Sequence, residues 1–254
     1  MKITIEIAGN NYAIDTSKPV DISQPIRFDG NSITAFGAPH ARSEPYQSGT
    51  FHGDTRRGGS CNCELYIFSP HLHGTHTECV GHITDERIAV HDVMKDSFIP
   101  ATLITVTPET PSESYDPLPQ AGDTMITKAA LEKSLKSAIG FLDALIIRTD
   151  YTGEPPYFSR EAMEFINTLG VKHLLVDMPS VDRLNDDGKL SNHRIFWGIA
   201  PGVKSSSTYS PKTITELIKV PASTRNGTYM LNLQIAPFMC DAAPSRPLIY
   251  EVKL

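Results

Sequence analysis

Cysteine is scarce in this sequence and positive charge is never in excess, and each shortage closes off a class of protein. The four cysteines, Cys61, Cys63, Cys79 and Cys240, form no paired Cys-x-x-Cys framework of the kind that holds structural zinc. Buried, reduced thiols are the expectation for them, with Cys61-Asn62-Cys63 the one place where a soft metal could sit. Lysine and arginine total 23 against 29 aspartates and glutamates, a formal charge of −6. That balance gives no broad basic surface for a nucleic acid. Long apolar runs are missing too. The longest, such as residues 142–147, fall far short of the ~20 residues that cross a bilayer. The opening Met1-Lys2-Ile3-Thr4-Ile5-Glu6-Ile7 alternates apolar and polar residues, a strand pattern rather than the core of an export signal. The expectation is a cytoplasmic protein with neither a nucleic-acid nor a membrane partner.

The composition that remains is ordinary for a globular chain: 254 residues, 40% hydrophobic and 20% charged, enough for a sizeable core. One domain over residues 1–254 is expected. Residues 2–14 read as a hairpin turning at Gly9-Asn10-Asn11. Residues 17–60 are rich in Pro, Gly and Ser and read as long loops that shape a pocket. Residues 101–106, 144–148 and 171–176 are short apolar runs, and so buried strands. Between them lie two amphipathic stretches. Residues 127–138 place Ala130, Leu131, Leu135 and Ala138 on one face, and Gly140 stops the helix. A second helix runs from Ser159 as N-cap to Leu169, ended by Gly170. Residues 229–252 return to strand-like segments broken by Pro237, Pro244 and Pro247. Helices alternating with buried strands predict a mixed α/β fold with much irregular structure.

Nine histidines are present, and four of them fall in His71-Leu72-His73-Gly74-Thr75-His76-Thr77-Glu78-Cys79-Val80-Gly81-His82. His76 and Glu78 are two apart, so they face one side of an extended backbone. Glu78 and His82 are four apart, so they share a face where a helix begins. A loop entering a helix could therefore aim all three at one point, and imidazoles with a carboxylate suit zinc, manganese or iron. His40, His52, His91 and His173 stand alone and read as ordinary, internally bonded or solvated residues.

The segment resembles the cyclase family of metal-dependent hydrolases, which includes bacterial kynurenine formamidase and isatin hydrolase. The family pattern is His-x-Gly-Thr-His-x-Asp-x-Pro-x-His. Gly74, Thr75, His76 and His82 match it in register, Glu78 stands for its Asp and Val80 for its Pro. The register position of the first histidine holds Leu72, flanked by His71 and His73. Ser69-Pro70-His71 is similar to the family's approach to the motif with one residue inserted, which favours His71. Further similar segments are Val20-Asp21-Ile22-Ser23, Ile146-Ile147-Arg148-Thr149, Asp177-Met178-Pro179-Ser180-Val181-Asp182, His193, Thr213-Ile214-Thr215-Glu216-Leu217 and Ala243-Pro244-Ser245-Arg246.

The resemblance implies a swivelling β/β/α domain with a mixed sheet and long pocket-lining loops, assembled as a homodimer or homotetramer. It implies hydrolysis of an amide-type C–N bond in a small molecule, arylformamidase-like, on N-formylkynurenine or a related formamide or lactam. It implies zinc or manganese, one or two ions per chain. His71, His76 and Glu78 are assigned to the first ion. His82, His193 and Glu216 form a second metal site or a catalytic proton-relay group. Asp177 and Asp182 are read as loop-holding residues with turn-type hydrogen bonds. Phe51, Tyr66, Phe68, Phe196 and Trp197 are candidate aromatic walls, although such residues are more often core. Two other readings stay open: a hydrolase or dehydrating cyclase for a lactone or polyketide, and a degenerate member that binds without turnover.

Overall fold

The protein is described here as a computed structural model covering residues 1–136, 140–205 and 210–253. Among these residues eleven strands form one mixed sheet. Its centre is parallel: Phe98–Thr105, Ala144–Arg148, His173–Val176 and Thr213–Glu216 lie side by side. Ala144 pairs Ala101 and Leu145 pairs Leu174, so the apolar runs stack in register. Every residue from Ala144 to Arg148 is buried, as a strand covered on both faces must be. Antiparallel strands extend the sheet on both sides. Gly227–Asn232 and Leu248–Lys253 continue past Phe98–Thr105 to the N-terminal hairpin. On the other side His76–Glu78 pairs Thr213–Glu216, and Ala242–Pro244 pairs His76–Glu78.

Alternation along the central strands builds two cores. Leu145, Ile147, Leu174, Val176 and Ile104 face the helices Lys128–Lys136 and Arg160–Thr168 through Leu131, Leu135, Ala162, Met163 and Ile166. Ala101, Leu103, Ile146 and Leu175 face the opposite way, towards Ile22, Leu231 and Ile249. The Ser159 side chain accepts the Ala162 N–H at 2.9 Å, the expected N-cap, and Gly170 takes positive φ just past the helix end. The first helix is described to Lys136; Ala138 lies outside the described residues.

Three sequence expectations need correction. The N-terminal hairpin joins Lys2–Ile7 to Asn10–Asp15, so Ala8-Gly9 makes the turn and Asn10-Asn11 are already strand. A two-residue turn with both residues at positive φ matches the strand twist better than the longer loop expected. The cysteines are not uniformly buried: Cys79 is, but Cys61, Cys63 and Cys240 are exposed because they lie in loops outside both cores. Among the candidate aromatic walls, Phe196 and Trp197 are core, whereas Tyr66 is exposed on the outlying Glu64–Ile67 strand. No helix among the described residues is long and apolar enough to cross a membrane.

Candidate metal centre

The site grows out of sheet register. His76–Glu78 is the second-last strand of the sheet, held position by position between two neighbours: His76 pairs Glu216 on one side, and Glu78 pairs Ala242 on the other. Side chains alternate along a strand, so His76, Glu78 and Glu216 share one face while Thr77 turns to the other and meets Thr215 Oγ1 at 2.8 Å. His76, Glu78 and Glu216 are all buried. The preceding Gly-Thr pair anchors this strand. A Cβ at Gly74 would come within 2.9 Å of the Gln24 carbonyl oxygen, so only glycine admits that approach. Thr75 Oγ1 then accepts the Gln24 N–H at 2.7 Å and donates to the Leu217 carbonyl at 2.5 Å.

Two further elements close over this face. The short 3-10 turn Val80–Ile83 delivers His82, and the helix Ser191–Trp197 delivers His193. A helical turn, Pro70–His73, sets His71 and His73 on different sides. His73 faces away: its Nδ1 accepts the Ser69 N–H at 3.0 Å and its Nε2 donates to the Pro39 carbonyl at 2.8 Å. His71 turns inward, with Nδ1 2.9 Å from Glu78 Oε2. Of the two histidines that flank Leu72, it is therefore His71 that faces the cluster.

Each inward imidazole is held from behind. His76 Nδ1 donates to the Gly74 carbonyl at 3.1 Å, leaving Nε2 3.5 Å from Glu216 Oε2. His193 Nδ1 donates to Asp182 Oδ2 at 2.6 Å, leaving Nε2 2.9 Å from Glu78 Oε1. Asp182 is itself fixed by the Tyr115 hydroxyl and the Asn192 N–H, each at 2.8 Å. It therefore does more than hold its own loop by turn bonds: it reaches across to orient His193. Asp177 is structural too, but it ties a distant segment rather than its own turn, accepting from Thr149 N and Oγ1.

His76 Nε2, His193 Nε2 and both Glu78 oxygens are buried and lack a hydrogen bond, although they stand close to one another. Distance without alignment is what lone pairs aimed at a common centre produce, rather than donors aimed at acceptors. Ligand atoms lie within 4.8 Å of one another in three sets: His71, His76 and Glu78; Glu78, His82 and His193; His71, His82 and Asp241. Neutral imidazoles and carboxylates are the donor set of zinc and manganese, and the anchored second nitrogens are the outer shell such ligands use. The residues therefore fit a divalent cation. Electrostatics agree. Burial opposes charge on His71, but the Asp241 and Glu78 carboxylates outweigh it and raise its pKa to about 10. Burial likewise opposes charge on His193, and Glu78 and Asp182 push its pKa well up. Glu78 is held low against burial by His82 and His193. Without a cation, protons on imidazole supply the positive charge that the carboxylates demand.

Of the second set, Glu216 stands beside His193, with Oε1 3.6 Å from its Nε2. Glu216 Oε1 accepts the Val181 N–H at 3.0 Å, and it is Glu78 that joins His82 and His193. Asp241 was not legible in the sequence as a site residue: its Oδ2 lies 2.8 Å from His71 Nε2 and 3.3 Å from His82 Nδ1. Its one signal was a carboxylate just before the Ala243-Pro244-Ser245-Arg246 segment. His40 and His173 are internally bonded, to Ser32 and to Thr213 and Asp96.

Residues 20–183 match the Cyclase family. The chain belongs to that family. This cyclase-family chain is 25% identical over 194 residues to kynurenine formamidase of Bacillus thuringiensis (strain Al Hakam), which is 71% of this chain and 78% of that protein. Its fold is similar to isatin hydrolase A of Labrenzia aggregata bound to benzyl benzoate, with a TM-score of 0.64 at 15% identity, covering 93% and 94% of the two chains. It is also similar to a predicted metal-dependent hydrolase of Bacillus stearothermophilus, with a TM-score of 0.60 at 16% identity, covering 92% and 98%. At these identities the structural likenesses speak to the fold, which is that of cyclase-family proteins.

Proposed function

We propose that this protein is a metal-dependent hydrolase of an amide-type C–N bond, acting on an aryl formamide such as N-formylkynurenine or on a related lactam. The observation that carries the reading is the set of buried, unbonded nitrogens and oxygens of His76, Glu78 and His193 facing one another, with His71 beside them. The kynurenine formamidase relative supports the choice of bond.

In this reading His71, His76 and Glu78 hold a divalent cation, zinc or manganese, and His193 adjoins it through Glu78. Such a cation supplies Lewis-acid polarisation of a carbonyl and a water acidified from 15.7 towards ~7. The chain's own residues do the rest. Glu78 and Glu216 keep the pocket negative where the imidazoles converge. His193 has one nitrogen on Asp182 and the other against Glu78, so it is a fixed group, not a mobile donor. His82 is different: its side chain is 27% exposed, and Nδ1 rests on Asp241. An imidazole at the rim, within reach of solvent, is the fitting carrier of a proton to the departing nitrogen, a role worth roughly 10²–10⁴-fold.

Assembly is part of the same reading. Leu65, Tyr66 and Ile67 are all exposed on the Glu64–Ile67 strand, an apolar edge that suits a homodimer or homotetramer. The free thiols suit a cytoplasmic setting. The test is a panel of aryl formamides, lactams, lactones and activated esters, given to protein stripped with a chelator and then reloaded. Turnover of the formamides and lactams that returns only with metal supports the reading; turnover of lactones alone replaces the substrate class.

A further inference from the structure

The motif's departure from register leaves His71 in a precarious place. It sits on a four-residue turn, Pro70–His73, too short to fix a ring by its own backbone. The other inward imidazoles have internal anchors, His76 on Gly74 and His193 on Asp182. The anchor of His71 comes from the far end of the chain.

We propose that Asp241 is the positioning residue that fixes the His71 ring, and thereby sets the site's affinity for a divalent cation, while tying His82 to the same oxygen. The inference rests on the reading above. A neutral imidazole carries one proton. With Asp241 Oδ2 2.8 Å from Nε2, that proton is held on Nε2. Nδ1, 2.9 Å from Glu78 Oε2 on the cluster side, is then the nitrogen whose lone pair becomes free for a cation once its own proton is released. The same Oδ2 lies 3.3 Å from His82 Nδ1, and the His71 and His82 rings are 4.3 Å apart, so one carboxylate sets both.

The backbone brings Asp241 there without help from its side chain. The Cys79 N–H donates to the Asp241 carbonyl at 3.0 Å, and the Val90 N–H donates to the Cys240 carbonyl at 2.8 Å. The next residue, Ala242, pairs Glu78. Gly81 keeps the space open: a Cβ there would lie 2.2 Å from the Ile88 carbonyl oxygen and 3.3 Å from Asp241 Cβ. Truncating the half-exposed Asp241 side chain therefore removes the anchor and leaves the strand.

The experiment measures zinc affinity of the full chain by competition with a chromophoric chelator. Asp241→Ala is expected to weaken binding about 10–100-fold, the usual effect of losing an outer-shell carboxylate. Asp241→Asn, which keeps an acceptor oxygen, falls between. In a His71→Ala background, Asp241→Ala is expected to add nothing to the loss of zinc affinity, since the ring through which it acts on the cation is gone. Nitrogen-15 histidine spectra of the zinc-loaded protein supply a second readout: the His71 Nε2 proton, slow to exchange in the wild type, exchanges quickly in Asp241→Ala. Circular dichroism of the metal-free variants is expected to show the wild-type fold, with a lower melting point in Asp241→Ala because the His71–Asp241 ion pair is gone. Wild-type affinity in Asp241→Ala, or an equal penalty with and without His71, overturns the inference and leaves the functional reading intact. A wild-type chain that binds neither zinc nor manganese overturns that reading, and this inference with it.

Discussion

Glu78 is the residue on which most depends, and Glu78→Gln isolates its charge at constant shape. The side chain is fully buried. Oε2 faces His71 Nδ1 and Oε1 faces His193 Nε2, each at 2.9 Å, and Glu78 belongs to two of the three ligand sets. An amide cannot serve both directions, because one of its two atoms is a donor. Four-ligand zinc sites bind with roughly 10–16 kcal/mol, about 2.5–4 kcal/mol per ligand, and each 1.4 kcal/mol is tenfold. Glu78→Gln is therefore expected to weaken zinc binding by about 10²–10³-fold, and to lower stoichiometry at every ion the site holds. Chelator competition gives the affinity, elemental analysis after dialysis gives the stoichiometry, and a melt of the metal-free variant shows that the fold persists. Wild-type affinity and stoichiometry in a folded Glu78→Gln protein would refute the convergent-ligand argument.

Other perturbations sort the neighbouring histidines. His71→Ala is expected to weaken zinc binding about as much as Glu78→Gln, whereas His73→Ala leaves it unchanged, because both His73 nitrogens serve the Ser69 and Pro39 backbone; the same competition assay checks this. His82→Ala is expected to keep most of the metal yet slow an anilide-like formamide at least about 10²-fold more than an activated ester, whose leaving group needs no proton. His193→Ala is expected to lose metal and slow both substrates alike, as measured by metal content and both rates on one preparation. Binding of zinc at pH 8 is expected to release a proton from His71, whose pKa of about 10 in the metal-free protein keeps it charged there, so affinity rises with pH. Calorimetry in buffers of different ionisation heat counts the proton. The same raised pKa gives the metal-free protein stability that is fully present below the ordinary histidine pKa of ~6.5 and lost as pH rises towards about 10.

Much of this was legible because local patterns and the fold agree. Apolar runs at residues 101–106 and 144–148 were strands, and the Ser159 and Gly170 signals bracketed a helix, because those residues satisfy their own backbone locally. His76 and Glu78 could be paired by alternation alone. Glu216 needed the register that sets it beside His76, which no local pattern contains. Asp182 looked like a turn residue because its sequence neighbours are turn formers; its decisive partner, His193, arrives on a separate helix. Asp241 was least legible. It sits in an aperiodic tail 159 residues from His82, and it matters only because Ala242–Pro244 closes the sheet beside Glu78. The exposed Cys61 and Cys63 went astray for the same reason: a thiol's burial depends on where its loop lies.

The central claim is hydrolysis that depends on a cation held by this cluster. The most direct measurement is the rate of N-formylkynurenine hydrolysis by chelator-stripped protein as zinc or manganese is added back, with bound metal counted on the same samples. Activity that is absent at first and rises in proportion to bound metal, saturating at one or two ions per chain, is the predicted result. Full activity in stripped protein, or stoichiometric metal binding with no hydrolysis of any formamide or lactam, would contradict it.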